Sequence, residues 1–220
     1  MADAMKDMCS SKEDVLLKNH VESALLVDDF GDQGMYTGDL CLGQPHGYGT
    51  MMYDDGLRYV GCWNHGKYHG HGSTLFPSGD RYTGEYRLDD FHGRGTYCWQ
   101  DGREYVGQFQ DDQRHGQGMY SWPDGSRYTG SFTAGKMHGY GTHTCHCGSK
   151  YDGEFLYGQR HGYGVLTYAN GHRYEGRFQL GHRHGYGTFS PSDGSLQRKG
   201  VWANGELAVE CSDQDAERGL

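Results

Sequence analysis

One spacing governs most of this chain: a Tyr-x-Gly sequence and a His-Gly-x-Gly sequence each recur every 23 residues, without insertion or deletion. In the copy at 81–102 the first begins at Tyr82 and the second at His92, and an Asp-Gly closes the copy. Seven copies in phase define a repeat array, in which each repeat is one supersecondary unit that stacks on its neighbours. The seven motif tyrosines are Tyr36, Tyr59, Tyr82, Tyr105, Tyr128, Tyr151 and Tyr174, and the seven motif histidines are His46, His69, His92, His115, His138, His161 and His184.

Within one repeat the residue pattern predicts a β-hairpin. Tyr82, Gly84 and Tyr86 alternate with polar residues, which is typical of a half-buried strand. A turn is expected at 88–89, followed by a second strand that runs from the His-Gly-x-Gly to Trp99. The dipeptide that ends each copy, most often Asp-Gly, supplies the positive φ that hairpin turns need. We therefore predict an all-β fold, an elongated single-layer antiparallel sheet of consecutive β-hairpins.

The glycines inside the strands predict a register. If the first turn has two residues, Tyr82 pairs with Gly95 and Gly84 pairs with Gly93, so that the tyrosine ring lies over backbone that carries no side chain. The second turn must then have an odd number of residues to keep the next tyrosine on the same face. Pro123–Gly125 fits a three-residue loop whose glycine is left-handed.

These residues resemble the MORN repeat family, whose pattern is Tyr-x-Gly-x-aromatic, a glycine turn and a Gly-x-Gly strand. The resemblance runs from Tyr36 to about Gly194, with a degraded eighth copy beyond it. It implies the hairpin fold, whereas MORN arrays occur in proteins of many functions. The segment Asp111–Tyr128 is similar to MORN proteins of ciliary radial spoke heads, which implies an axonemal or cytoskeletal role.

The segments outside the seven repeats differ from them in charge and pattern. Residues 34–200 hold 16 basic and 16 acidic residues, so the whole net charge of −9 lies at the two ends. Leu17, Val21 and Ala24 recur at helical spacing and predict a short N-terminal helix that packs on the first hairpin or docks on a partner. The expected organisation is an acidic segment at 1–33 with a helix at 13–29, seven repeats at 34–199, a partial eighth repeat at 200–209 and a flexible tail at 210–220.

The charge and the cysteines restrict the function and the cellular location. A neutral array lacks the clustered Lys and Arg that grip phosphate, so nucleic acid is excluded as a partner and anionic lipid is disfavoured. No apolar run is long enough for a membrane span, and no signal-peptide core follows the acidic start. The seven cysteines are an odd number without a fixed place in the repeat, which favours a reducing cytoplasmic setting.

Candidate reactive groups are few. The motif histidines stand one per repeat and no two are expected to converge, so a structural role is favoured over catalysis. No nucleophile stands beside a base, and we predict no catalytic residue, no metal and no cofactor. His143, Cys145 and Cys147 raise the question of a soft-metal site, but strand alternation sends the neighbouring His146 to the other side. Local divergence of one repeat is the favoured interpretation.

The aromatic residues predict a binding face. A single sheet cannot cover both of its faces, so part of the aromatic set should form a long groove, while ring-on-glycine stacking buries the rest. A non-enzymatic scaffold that receives an extended or helical segment of another protein follows, and the residues at the x position of His-Gly-x-Gly are candidates for setting its specificity. The predicted binding residues are Tyr36, Tyr59, Trp63, Tyr82, Tyr86, Trp99, Tyr105, Phe109, Trp122, Tyr128, Phe132, Tyr151, Phe155, Tyr174 and Phe178.

Three further possibilities stay open. MORN arrays such as those of junctophilins and plant phosphoinositide kinases have been assigned a lipid-binding role, so a peripheral membrane protein that binds anionic phospholipid is one alternative. A regulatory section of a larger enzyme is another, since MORN repeats accompany a SET domain in one lysine methyltransferase. The open ends of the sheet also allow a homodimer through the terminal hairpins.

Overall fold

The computed structural model describes residues 18–28 and 31–211, and across these residues it contains β-strands joined by turns and loops, with no helix. The chain divides into two compact units, one ending at Gln113 and the other beginning at Arg114. The all-β prediction of consecutive antiparallel hairpins is confirmed. The described part of the chain has no helix with the length and apolarity that crossing a membrane requires.

The first unit is an antiparallel sheet in which each strand pairs with the next one along the chain. Its strands are β1 (Lys18–Val27), β2 (Gln33–Cys41), β3 (Gln44–Tyr53), β4 (Arg58–Asn64), β5 (Lys67–Leu75), β6 (Arg81–Arg87), β7 (Asp90–Cys98) and β8 (Glu104–Gln110).

The second unit repeats the same connectivity. Its strands are β9 (Gln113–Ser121), β10 (Arg127–Thr133), β11 (Lys136–Thr144), β12 (Lys150–Leu156), β13 (Gln159–Thr167), β14 (Arg173–Gln179), β15 (His182–Ser190), β16 (Arg198–Ala203) and β17 (Glu206–Glu210). The last hairpin is the degraded copy, and its Trp202 pairs with Gly185 as Phe178 pairs with Gly162 one repeat earlier.

The predicted N-terminal helix is wrong over 18–27, where the chain forms strand β1; the rest of the predicted range lies outside the described residues, apart from Asp28. Strand β1 pairs antiparallel with β2, from Lys18 opposite Cys41 to Val27 opposite Gln33. The edge of β2 offers a row of backbone donors and acceptors, and pairing satisfies them as an isolated helix could not. A short amphipathic pattern does not decide between the two outcomes.

The two-residue first turn is confirmed in every hairpin of this type. Leu88 and Asp89 both have positive φ, at 53° and 80°, between the paired residues Arg87 and Asp90. Positive φ at both central residues defines a type I′ turn, whose twist matches that of the flanking strands. Five other copies place Gly at the second position, where a left-handed backbone costs that residue nothing.

The predicted pairing is wrong by two residues because a bulge interrupts the second strand. Gly84 pairs with Gly95, not Gly93, while Glu85 pairs with His92. Gly93 and Arg94 are therefore extra on the β6 side of β7, and Gly93 takes a left-handed φ of 57°. The Glu85 carboxylate closes the bulge by accepting the Arg94 backbone N–H at 2.8 Å. Beyond the bulge the two strands resume regular pairing.

The second turn has the predicted three-residue loop. The Trp99 N–H donates to the Arg103 carbonyl at 2.9 Å, and the Gly102 N–H donates to the Trp99 carbonyl at 3.0 Å. Gly102 is left-handed, with a φ of 88°. An odd loop keeps successive motif tyrosines on one face of the sheet, which is called the inner face below.

Candidate protein-binding face

The seven motif tyrosines form the core of the sheet. Each ring is at most 2% exposed, and the phenol of Tyr82 donates to the Glu85 carbonyl at 2.8 Å. The same bond to the residue three positions on recurs in every repeat, at 2.7 to 3.1 Å. Burial raises the phenol pKa of six of them, to about 12 for Tyr128 and Tyr174. These six phenols are therefore neutral hydrogen-bond donors at physiological pH.

A pair of glycines lies under the ring of most motif tyrosines, as the sequence predicts; these are Tyr36, Tyr59, Tyr82, Tyr128, Tyr151 and Tyr174. A Cβ placed on Gly95 would lie 2.4 Å from the Tyr82 hydroxyl and 2.6 Å from its ring carbons. A Cβ on Gly84 would lie 2.5 Å from the Cα of Gly95. Only glycine at both positions allows the ring to lie on the backbone, so the Tyr-x-Gly and Gly-x-Gly motifs form one packing unit.

Edge-to-face ring contacts link the tyrosine of one repeat to aromatic residues of its own repeat and of the next. Tyr82 meets Tyr86 at 5.0 Å and Phe109 at 5.2 Å, with ring planes close to perpendicular. Each such pair contributes about 0.5–1.5 kcal/mol beyond the area that it buries. The second unit repeats the pattern with Tyr151, which meets Phe155 at 5.1 Å and Phe178 at 4.9 Å.

Thirteen of the fifteen predicted binding residues therefore belong to this core and are no more than 5% exposed, which leaves them no surface for a partner. Only Trp99 and Trp122 stay half-buried. The remaining accessible part of the inner face comes from other positions.

One of these is the position directly before each motif histidine, which we call the cover position. Tyr68 stacks on the Tyr59 ring at 3.8 Å with an angle of 7°, and Phe91 stacks on Tyr82 at 3.9 Å. In the second unit an arginine takes the same place in three of the four copies, and the Arg183 guanidinium lies 5.5 Å from the centre of the Tyr174 ring. The residues at the cover position are Pro45, Tyr68, Phe91, Arg114, Met137, Arg160 and Arg183.

In the first unit the cover residues continue into a band of half-buried rings, which we call the aromatic strip. Phe76 lies 6.3 Å from Phe91 and 6.0 Å from Tyr97, and Tyr97 lies 4.5 Å from Trp99. The Tyr68 phenol donates to the Tyr53 hydroxyl at 3.1 Å. The strip comprises Tyr53, Tyr68, Phe76, Phe91, Tyr97 and Trp99.

Of these six residues, only Trp99 is among the binding residues predicted from the sequence. Tyr68 and Phe91 could have been found from the cover position, since the residue before each motif histidine is large in every copy but one. Tyr97 lies near the end of β7, two residues before Trp99, so period-two alternation places the two rings on the same face.

An acidic cavity of about 370 Å³ lies at the Tyr53 end of the strip. Tyr53 and Tyr68 form its aromatic wall, and five of its other eight lining residues are aspartates: Asp28, Asp32, Asp54, Asp55 and Asp89. Burial raises the pKa of Tyr53 to about 12, with further contributions from the charges of Asp28 and Asp89. Asp89 also forms an ion pair with Lys67 at 2.9 Å. The cavity thus combines aromatic surface with an excess of negative charge.

The inner face of the second unit has a different chemistry. The Arg160 guanidinium lies 5.8 Å from the Tyr151 ring centre and donates to the Gly181 carbonyl at 2.9 Å. Arg114 and Arg183 make the corresponding bonds to Gly135 and Gly205. Cations held over aromatic rings replace the stacked rings of the first unit, so the two inner faces offer different surfaces.

The x positions lie on the opposite, outer face. Arg94 precedes Gly95, which faces the tyrosine ring, and alternation turns Arg94 away from it. Tyr140 is 65% exposed, and the Tyr163 phenol donates to the outer-face Glu175 at 2.8 Å. These residues cannot set the specificity of a ligand bound on the inner face.

Among the residues that the structure describes, no group of three His, Cys, Asp or Glu side chains is arranged to hold a metal ion. The motif histidines lie one to a repeat, at the start of each second strand. The cluster of Cys145, Cys147 and His143 borders a cavity of about 500 Å³, together with Arg160 and Tyr151.

Comparisons with known proteins agree with this geometry. The MORN repeat pattern matches seven times, at residues 36–58, 59–81, 82–102, 105–127, 128–148, 151–173 and 174–195. No curated protein matches the chain as a whole.

Two solved structures are similar to the chain at low identity. The TCP domain of SAS-4 (dCPAP) from Drosophila melanogaster, in complex with a proline-rich motif of Ana2 (dSTIL), is 12% identical and has a TM-score of 0.41; the match covers 82% of this chain and 90% of that one. The TCP10 domain of Danio rerio CPAP is 10% identical with a TM-score of 0.25, over 88% and 99% of the two chains. Both likenesses are too weak to bear on function.

The seven matches cover most of the chain, and each contains one of the seven buried motif tyrosines. The chain belongs to the MORN repeat family.

Proposed function

We propose that this protein is a non-enzymatic scaffold that binds an extended segment of another protein along the aromatic strip of its first unit. The observation that carries this proposal is the strip itself. Six half-buried aromatic rings stay accessible on one face, while the motif tyrosines beneath them are buried. Rigid, partly exposed aromatic rings are the residues that most often anchor a protein partner.

The strip is held in place before any ligand arrives. Phe91 is stacked on Tyr82, and the Tyr97 phenol donates to the Asp80 carboxylate at 3.1 Å. A surface whose side chains are already ordered loses little conformational entropy when it binds. The strip therefore suits a ligand that brings aromatic, apolar or proline side chains of its own.

The acidic cavity favours a positive charge at one end of the bound segment. Tyr53 and Tyr68 belong to both the strip and the cavity, so a segment that follows the strip reaches the five aspartates. A Lys or Arg side chain would place its alkyl stem on the rings and its charge among the carboxylates. The expected partner is thus an extended segment with apolar residues followed or preceded by a basic residue.

The non-enzymatic part of the proposal rests on repetition. Chemistry-bearing residues recur once per repeat at equivalent places, whereas catalysis needs a nucleophile, a base and a stabilising group at one point. The resemblance of Asp111–Tyr128 to radial spoke head proteins supports placing this scaffold in an axonemal or other cytoskeletal assembly. A homodimer through the terminal hairpins stays a prediction, which light scattering on the full-length protein would test.

A peptide-display selection on the full-length protein tests the binding proposal. We expect selected peptides to be rich in aromatic residues or proline and to carry Lys or Arg near one end. Replacing Phe76 and Trp99 by Ser should weaken a selected peptide at least about tenfold, which equals about 1.4 kcal/mol. Asp54→Asn should weaken only peptides that have the basic residue.

Val106→Ser provides the matched control. Val106 is 40% exposed and follows the buried Tyr105, so it lies on the outer face of the same unit. The variant should bind as the wild type does. Peptides that tolerate the Phe76 and Trp99 replacements but lose affinity with Val106→Ser would move the site to the outer face and overturn the proposal.

A further inference from the structure

The second turns contain a recurrent acceptor site. In six of the seven copies, a side-chain oxygen of the residue before the loop glycine accepts a hydrogen bond from the backbone N–H two positions later, at 2.8 to 3.3 Å. The acceptors are Asp55, Ser78, Asp101, Asp124, Asn170 and Asp193. Four of the six are carboxylates, so the loop tolerates a negative charge at this point. In the fifth copy the residue is Cys147.

The fifth loop keeps the geometry of the others despite this exchange. The Cys145 N–H donates to the Ser149 carbonyl at 2.8 Å, and the Gly148 N–H donates to the Cys145 carbonyl at 2.9 Å. The equivalent bonds in the preceding copy, around Trp122, are 2.9 and 3.0 Å. Cys147 therefore stands at the acceptor position of a loop whose backbone is the same as in the other copies.

A second thiol lies against the first. The Cys147 backbone N–H donates to the Cys145 sulfur at 3.3 Å. The His146 ring nitrogen lies 3.8 Å from the Cys145 sulfur. The two cysteines thus lie two positions apart in one closed turn, with the backbone of Cys147 bonded to the sulfur of Cys145, and both line the same cavity.

These contacts favour the thiolate of Cys147. The hydrogen bond from Cys145, followed by those from the hydroxyl and backbone of Ser149, lowers the pKa of Cys147 to about 7. Cys98 is the opposite case at the end of strand β7, where burial and then the Glu104 carboxylate raise the thiol pKa. The surroundings of the two cysteines thus shift their thiol pKa in opposite directions, down for Cys147 and up for Cys98.

We propose that Cys145 and Cys147 form a redox-responsive dithiol, in which Cys147 is oxidised by hydroperoxides and Cys145 resolves the product to a disulfide. Cys147 is exposed, and the adjoining cavity of about 500 Å³ gives a small oxidant access to both sulfurs. The proposal is independent of the aromatic strip, which lies in the other unit.

The chemistry balances with one peroxide for each disulfide. The Cys147 thiolate attacks a peroxide oxygen, the O–O bond breaks, and a sulfenic acid forms while the leaving oxygen takes a proton to give water or an alcohol. The Cys145 sulfur then attacks the Cys147 sulfur; the S–O bond breaks, and the departing hydroxide takes the Cys145 proton to give water. Two electrons pass from the two sulfurs to the peroxide.

Mass spectrometry of the full-length protein can follow each cysteine separately. Trypsin releases residues 137–150 as one peptide that contains both cysteines. After hydrogen peroxide treatment this peptide should lose the mass of two hydrogen atoms, and dithiothreitol should restore it. In Cys145→Ser the reaction should stop at the sulfenic acid, which dimedone captures on Cys147.

The rate of iodoacetamide alkylation against pH supplies the second measurement. Cys147 should show a midpoint near pH 7 and react at least about threefold faster at pH 7 than Cys98 does, since a larger thiolate fraction outweighs its lower nucleophilicity. Cys147→Asp, which restores the residue of the sibling loops, should fold with unchanged thermal stability and lose the disulfide. A Cys147 midpoint above pH 8, or peroxide-treated peptide without the intrapeptide disulfide, would overturn the proposal.

Discussion

The contact between a motif tyrosine and its glycine pair makes a quantitative prediction for Gly141→Ala. A Cβ at Gly141 would lie 2.5 Å from the Tyr128 hydroxyl and 2.6 Å from two ring atoms. The ring cannot retreat without losing burial, since it is 0% exposed, or without losing the bond of its hydroxyl to the Ser131 carbonyl at 3.0 Å. Overpacking costs about 1–3 kcal/mol and a lost buried hydrogen bond about 1 kcal/mol, so we expect a loss of about 3 kcal/mol.

Gly135→Ala in the same repeat is the control. Gly135 has a φ of 74° and nothing within 4 Å of the added methyl group, so only its backbone conformation is strained. That strain costs about 1 kcal/mol. Urea denaturation followed by circular dichroism and tryptophan fluorescence would compare the two variants through their midpoints and slopes.

A double-mutant cycle then identifies the cause. In a Tyr128→Leu background the ring is absent, and Gly141→Ala should cost less than about 1 kcal/mol, which gives a large coupling energy between the two positions. If Gly141→Ala is no more destabilising than Gly135→Ala, or if its cost is the same with and without the ring, the packing argument for the MORN repeat fails.

Three further predictions concern turn, pH and lipid. Leu88 has a φ of 53° and is 54% exposed, so Leu88→Gly should stabilise the protein by about 1 kcal/mol in urea denaturation; a loss of stability would contradict the turn assignment. Burial raises the pKa of Tyr128 from 10.0 to about 12, so its contribution to stability is complete below pH 10 and declines as the pH rises toward 12. Tyr128→Phe should show a smaller decline over that range in thermal melts, and an equal decline would refute the assignment. Vesicles rich in anionic lipid should not co-sediment the full-length protein, because residues 34–200 carry no net charge; salt-sensitive co-sedimentation would favour a membrane role instead.

The period and its turn residues were sufficient to predict the hairpins, the turn types and the placement of rings on glycines. Each of these depends on local geometry that a few residues impose. The register was not predictable in the same way. The predicted pairing is wrong because of the bulge at Gly93. The sequence alone does not distinguish a glycine that lies under a ring from a glycine that has a left-handed backbone. The closing bond from Glu85 exists only once the strands are aligned.

Neither strand β1 nor the binding face could be predicted from the residue pattern, and the physical reason differs between the two. Val21 and Ala24 recur at helical spacing, but the unpaired edge of β2 decides their structure through backbone bonds that are independent of side-chain pattern. For the aromatic residues, composition shows which are large but not which of them lie beneath others. Tyr82 and Phe91 are both inner-face rings, and only the stacking of one on the other separates core from surface.

The cover position has a consequence for how such arrays diversify. Phe91 and Arg183 occupy equivalent places on equivalent tyrosines, yet one offers an apolar ring and the other a cation. One substitution at the cover position can change the kind of ligand that a repeat binds. The tyrosine and glycines that determine the fold of the repeat stay the same. Evolution, or a protein engineer, can therefore assemble recognition sequences repeat by repeat on an unchanged backbone.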